Sequence, residues 1–182
     1  MNSEEQLPLR DAVEREKWTE PPAMVLAAES SKTMKAFASY SHHDTKRVER
    51  LKAHLSVLRY AGGITILYDR EIRPGAPLNR AIRAQLDECE LFLPIVTPDL
   101  LASRYCFRQE MKQAMAYQRA GRMLIVPVIF EPCDWQRSPL GRFKALPEDG
   151  LPVSCWRNEN EALLNVVTAL RGLIRSRRLR PR

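Results

Sequence analysis

In residues 105–118, YCFRQEMKQAMAYQ, one acidic side chain stands among apolar ones. At about 100° per residue, Cys106, Phe107, Ala114 and Tyr117 fall on an arc around Glu110. Met111 and Met115 extend that arc towards a core, while Arg108, Lys112 and Arg119 point away. A carboxylate held in an apolar stripe is poorly hydrated, so its charge acts strongly on whatever is brought beside it. Two structural roles compete with a chemical one: a favourable place near a helix N-terminus, or a pair with a nearby Arg. A second set of reactive types is SYSHHDTK, residues 39–46, with Ser41, His42 and Asp44. A Ser/His/Asp hydrolase would need these to converge, which near-neighbours in sequence cannot easily do, and no GxSxG elbow is present. Turn and cap roles are expected for them.

The elements that must position these residues are legible from residue 34 onward. MKAFASY (34–40) is a short apolar run and predicts a first strand. In 44–60, Val48, Leu51, Leu55 and Leu58 recur at helical spacing, with Asp44 as the expected N-cap. ITILY (64–68) follows the Gly62-Gly63 turn as a second strand, and DREIRPGAP (69–77) reads as a loop. A helix is expected over 78–89, with Leu78, Ile82 and Leu86 on one face. LFLPIV (91–96) is a third strand interrupted by Pro94, which cannot donate to a ladder. A helix from Pro98 or Ser103 to about 120 carries Glu110. RMLIVPVIF (122–130) predicts a fourth strand, 131–150 a proline-rich connection, and PVSCW (152–156) a short fifth strand. A last helix spans 159–176, with Leu163, Val167, Leu170 and Ile174 in register.

Alternating strands and helices with apolar strands predict an α/β fold: a flavodoxin-like five-stranded parallel sheet, order 2-1-3-4-5, with helices on both faces. Ligands of such sheets bind beyond the carboxyl ends of the strands, where the winding reverses. Here that switch lies between the first and third strands. It is flanked by Ser39, Tyr40, Ser41 and His42 on one side and by Thr97 to Glu110 on the other, with Asp69 to Pro77 adjacent.

Composition narrows the class further. The 182 residues are 45% hydrophobic and 28% charged, with a net charge of +7, ordinary values for a globular domain able to bury a core. The charge is uneven: residues 1–33 carry an excess of acid, while RGLIRSRRLRPR (171–182) holds six Arg and no acid. The basic end is expected to be a solvated helix terminus, which suits the negative end of a helix dipole; a nucleic-acid partner is not expected. Residues 1–33 lack a clear period, and TEPPA (19–23) breaks any helix around it. They read as a mobile or loosely docked leader with a short helix over 10–18. The domains are thus a leader (1–33), one globular domain (34–176) and a basic tail (177–182). Cys89, Cys106, Cys133 and Cys155 form no CxxC or Cys/His cluster, so no structural zinc is expected. With no signal peptide and no apolar run of about 18 residues, a cytoplasmic protein without a membrane span is expected.

Two further function classes lose ground. A phosphoreceiver needs clustered acids at the ends of the first and third strands, where this chain has Tyr40-Ser41 and Thr97-Pro98. A Rossmann oxidoreductase needs GxGxxG after the first strand, and the loop there reads SYSHHDTK.

The ordered blocks MKAFASYS, YDREIRPG and LFLPIVTPDLLASRYCFRQE resemble a TIR (Toll/interleukin-1 receptor) domain over about residues 34–175. PVIFEPCDW and the late LP-DG-PV--W pattern look most like bacterial members. The resemblance implies NAD⁺ glycohydrolase activity, since many such domains cleave the nicotinamide–ribose bond with a Glu on the helix after the third strand. The matching residue is Glu110, the implied catalytic carboxylate. It further implies that Ser41, His42, Asp69, Arg70 and Tyr40 line the NAD⁺ site. The same resemblance implies that Arg73, Pro74 and Gly75 belong to a loop through which such domains self-associate and complete each other's sites. No cofactor or metal is implied, NAD⁺ being the substrate; a sensor or partner protein and a role in bacterial defence or signalling are. The alternative is a non-catalytic TIR–TIR adaptor. Two departures stand out: Cys106, with Tyr105 beside it, replaces an aromatic four residues before the Glu, and GAPLN offers Pro77 and Leu78 where an aromatic often stacks on the ligand.

Overall fold

The computed structural model describes residues 33–68, 78–103 and 106–178. The expected leader except Thr33, the loop with Asp69, Arg70, Arg73, Pro74 and Gly75, and the last residues of the basic tail lie outside the described residues.

Strands β1 (Met34–Ser39), β2 (Ile64–Tyr68) and β3 (Leu91–Val96) run parallel. With β4 (Leu124–Ile125) they follow the order β2-β1-β3-β4, and β5 (Val128–Ile129) also pairs with β3. The five-stranded parallel α/β fold expected from the sequence is therefore present, but its fourth and fifth strands arise differently. Both come from the single predicted strand 122–130. The registers Leu91↔Leu124 and Ile95↔Val128 place Pro94 opposite Pro127. Neither proline can donate, so the ladder breaks there and resumes beyond.

The predicted fifth strand, 152–156, is corrected to a 3₁₀ turn at Val153–Cys155. Pro152 has no N–H, the Cys155 N–H donates back to the Pro152 carbonyl (2.8 Å), and only the Ser154 N–H reaches the sheet, at the Phe130 carbonyl (3.0 Å). Leu146 helps cover the same edge, donating to the Pro127 carbonyl (2.8 Å) and accepting from the Ile129 N–H (2.7 Å). A strand edge covered by irregular chain is protected from pairing with another molecule.

Helices α1 (Thr45–Tyr60) and α5 (Glu159–Arg178) cover one face, α2 (Leu78–Glu88) and α4 (Cys106–Arg119) the other. The helical spacings hold. Val48, Leu51, Leu55 and Leu58 of α1 and Leu163, Val167, Leu170 and Ile174 of α5 pack on Ala36, Ala38, Ile64, Ile66, Leu93 and Ile95. Ile82 and Leu86 of α2 and Met111 and Ala114 of α4 pack on Phe37, Phe92, Val96 and Ile125. Helix α1 ends at a turn in which Gly62 has φ 65°, a conformation glycine adopts without steric cost. Of the two starts expected for the helix that runs to about 120, Pro98 opens a short separate helix, α3 (Pro98–Ala102), and α4 follows beyond Ser103, the second expected start. Thr97 starts α3 by accepting the Leu100 N–H on its hydroxyl (3.1 Å).

Candidate functional site

Strand alternation decides what faces what at the exit of β1. Phe37 and Ser39 lie on the α2/α4 face, while Ala36, Ala38 and Tyr40 lie on the α1/α5 face. The Ser39 hydroxyl therefore points at α4, where it donates to Glu110 Oε2. Both residues are buried, Glu110 with 2% and Ser39 with 1% of their surface exposed. Helix α4 is held in register by α2: Gln113 Nε2 donates to Asp87 Oδ1 (3.1 Å), and the Tyr117 hydroxyl donates to the same carboxylate. Lys112 and Arg119 are exposed, so the amphipathic reading of this helix stands for its described side chains.

Ser39 is the contact that sequence reasoning passed over in favour of Ser41. The available signal was the two-residue alternation from Phe37, which puts Ser39 on the same face as α4. Ser41 is buried but turned into its own loop, where its hydroxyl accepts the His43 N–H (3.4 Å). His42 is exposed, its ring 3.7 Å from that of His43. Tyr40 is buried on the opposite face from Glu110, its ring edge-on to Tyr68 at 6.4 Å. Structure thus joins Ser39 and Glu110, and places Ser41 and His42 on the adjoining turn. Asp69 and Arg70 lie outside the described residues.

Asp44 departs from its expected role as a cap. It precedes α1 but makes no side-chain capping bond. Instead it is fully buried, accepts from the Thr97 hydroxyl at 2.6 Å and from Arg47 at 3.1 Å, and Arg47 also pairs with Glu131. Burial raises the Asp44 carboxyl above the ordinary 3.8, opposed by the Thr97 hydrogen bond and the Arg47 charge; Asp99 and Glu131 add to the rise. The folded chain then holds this proton more tightly than the unfolded chain, so stability falls as pH rises through the folded pKa. Relative to Asp44→Asn, which cannot ionise, the wild type is expected to lose stability between acidic and neutral pH. Urea melts of both proteins across that range check it; a pH-independent difference would contradict it.

Other nucleophile and ligand sets are weaker. Burial pushes the Cys89 thiol up to about 12, so it stays protonated at neutral pH. Among the described residues no group of three or more His, Cys, Asp or Glu side chains is placed to hold a metal ion. None of the described helices is long and apolar enough to cross a membrane.

The chain thus has a parallel α/β sheet with a buried hydroxyl–carboxylate pair beside its switch point. A family profile described as "TIR domain" matches residues 37–164. The chain belongs to the TIR-domain family. It is 37% identical over 135 residues to the uncharacterised protein y4lF of Sinorhizobium fredii (strain NBRC 101917 / NGR234), a match covering 74% of this chain. The chain spans only 42% of that relative's length. Its fold is similar to the TIR domain of the Toll-related receptor TRR-2 from Hydra magnipapillata, with a TM-score of 0.52 and 17% identity over 75% of this chain and 97% of the other.

Proposed function

We propose that this TIR domain cleaves NAD⁺ at the nicotinamide–ribose bond, with Glu110 as the catalytic carboxylate. The observation that carries the reading is the burial of Glu110 against Ser39 at the carboxyl end of the sheet. The leaving group is already a pyridinium, so the C1′–N bond breaks with its electron pair passing to the ring and neutral nicotinamide departs. What needs help is the ribosyl oxocarbenium ion that develops, as in glycoside hydrolysis. A fixed carboxylate in a poorly hydrated setting stabilises that charge without reorganising. Water then adds at C1′ and loses a proton to give ADP-ribose; attack from within the nucleotide gives a cyclised form.

In this reading Ser41, His42, Asp69 and Arg70 contact the nucleotide, Tyr40, buried on the opposite face from Glu110, anchors the turn that carries Ser41 and His42, and Arg73, Pro74 and Gly75 serve self-association. No metal takes part. The near-complete burial of Glu110 in the single chain fits an activity that arises only on assembly. The same burial also fits the second reading, a non-catalytic adaptor that recruits other TIR domains. The setting of the activity, in this account, is bacterial defence or signalling. Mass spectrometry of NAD⁺ incubated with concentrated protein is expected to find nicotinamide with ADP-ribose or its cyclised form. Intact NAD⁺ beside protein that light scattering shows to be assembled would favour the adaptor.

A further inference from the structure

At the switch point the chain leaves β1 and β3, neighbours in the sheet, towards opposite faces. The gap so opened is crossed twice. On the α4 side the crossing is Ser39 to Glu110. On the α1 side it is Thr97 to Asp44, at 2.6 Å and fully buried. The first holds the proposed catalytic carboxylate. The second holds something else: the turn 40–44, which carries Ser41 and His42.

We infer that Asp44 and Thr97 are positioning residues, a buried clasp that fixes the Ser41–His42 turn over the crevice and so sets how firmly the nucleotide is held. The turn has two anchors. Its near end is β1. Its far end is Asp44, whose N–H donates to the Ser41 carbonyl (2.8 Å) and whose carboxylate accepts from Thr97 and Arg47. Arg47 reaches on to Glu131, just beyond β5, so one carboxylate ties together the exits of β1, β3 and β5. Thr97 is equally committed, since its hydroxyl donates to Asp44 and accepts the Leu100 N–H that starts α3. Cutting this bond frees the far end of the turn and leaves the Ser39–Glu110 contact, on the other face, in place. The clasp thereby separates binding from chemistry. The substrate assignment rests on the proposed NAD⁺ reading; the clasp itself does not.

Two measurements test it on the full chain with Thr97→Val, which keeps the shape and deletes the hydroxyl, Thr97→Ser, which restores it, and Asp44→Ala, which spares Thr97's bond to Leu100. By amide hydrogen exchange, protection of the backbone N–H at position 44, taken relative to its intrinsic exchange rate, is expected to fall about tenfold or more in Thr97→Val and Asp44→Ala. Thr97→Ser is expected to recover it, with Leu93 in the central strand unaffected in all three. Unaltered Asp44 protection in Thr97→Val, or a loss confined to Leu100, would overturn the clasp whether or not NAD⁺ is a substrate. With NAD⁺ and assembled protein, Thr97→Val is expected to raise KM about tenfold while kcat stays within about twofold. A lower kcat at constant KM, the sign of fewer folded molecules, would overturn the positioning role. If the wild type leaves NAD⁺ intact, the NAD⁺ reading fails, and hydrogen exchange alone decides the clasp.

Discussion

Glu110→Gln is expected to slow nicotinamide release from NAD⁺ by about two to three orders of magnitude, the usual cost of deleting a preorganised electrostatic contact in a dry site. The substitution keeps shape and size. Its side-chain oxygen can still accept the Ser39 proton, so the seat of the side chain between β1 and α4 survives. What disappears is the negative charge, and only the transition state, with its cationic ribosyl carbon, feels that loss in full. The rate should therefore fall with little change in thermal stability. Initial rates from chromatographic nicotinamide assays, alongside circular dichroism melts, check both halves. Rates within about threefold of wild type, well short of the cost of a lost electrostatic contact, would remove Glu110 from the mechanism.

Phe92→Ala is expected to have the largest effect on stability, about 3–5 kcal/mol. Phe92 sits in β3 directly across from Phe37 in β1, both essentially unexposed, with their rings nearly parallel at 6.2 Å. Truncation removes one ring of a stacked aromatic pair and leaves a cavity bounded by β-sheet backbone, which cannot collapse freely. Set against a typical domain stability of about 5–15 kcal/mol, that loss is large enough to leave a visible unfolded fraction. Val57→Ala, on the exposed side of α1, should change stability by no more than about 0.5 kcal/mol. Urea denaturation of the two variants provides the comparison; a Phe92→Ala loss below about 1 kcal/mol, far under the usual aromatic truncation, would contradict the packing described.

What the sequence showed and what it hid follow from the range of the interactions involved. The apolar face of α4, with Glu110 upon it, was legible because helical spacing is local. So were β1, β2 and β3, whose largely apolar runs, with only Lys35 and Thr65 exposed, suit burial on both faces of a parallel sheet. The split of 122–130 was not. Pro94 and Pro127 are each visible, but their opposition depends on a register between strands 33 residues apart. PVSCW has strand-like residue types, yet Pro152 and the turn at Cys155 leave one hydrogen bond to the sheet. Asp44 sits where a cap belongs, and its diversion to Thr97, 53 residues away, is a tertiary choice that propensity cannot see. Ser39 was within reach of the alternation argument and was overshadowed by the more conspicuous Ser41-His42 pair.

The most direct test of NAD⁺ cleavage is nicotinamide release by the wild-type chain across a concentration series, with the oligomeric state followed by light scattering in the same samples. Release whose rate per chain climbs as the protein assembles is the expected result. Assembled wild-type protein that leaves NAD⁺ intact would contradict it.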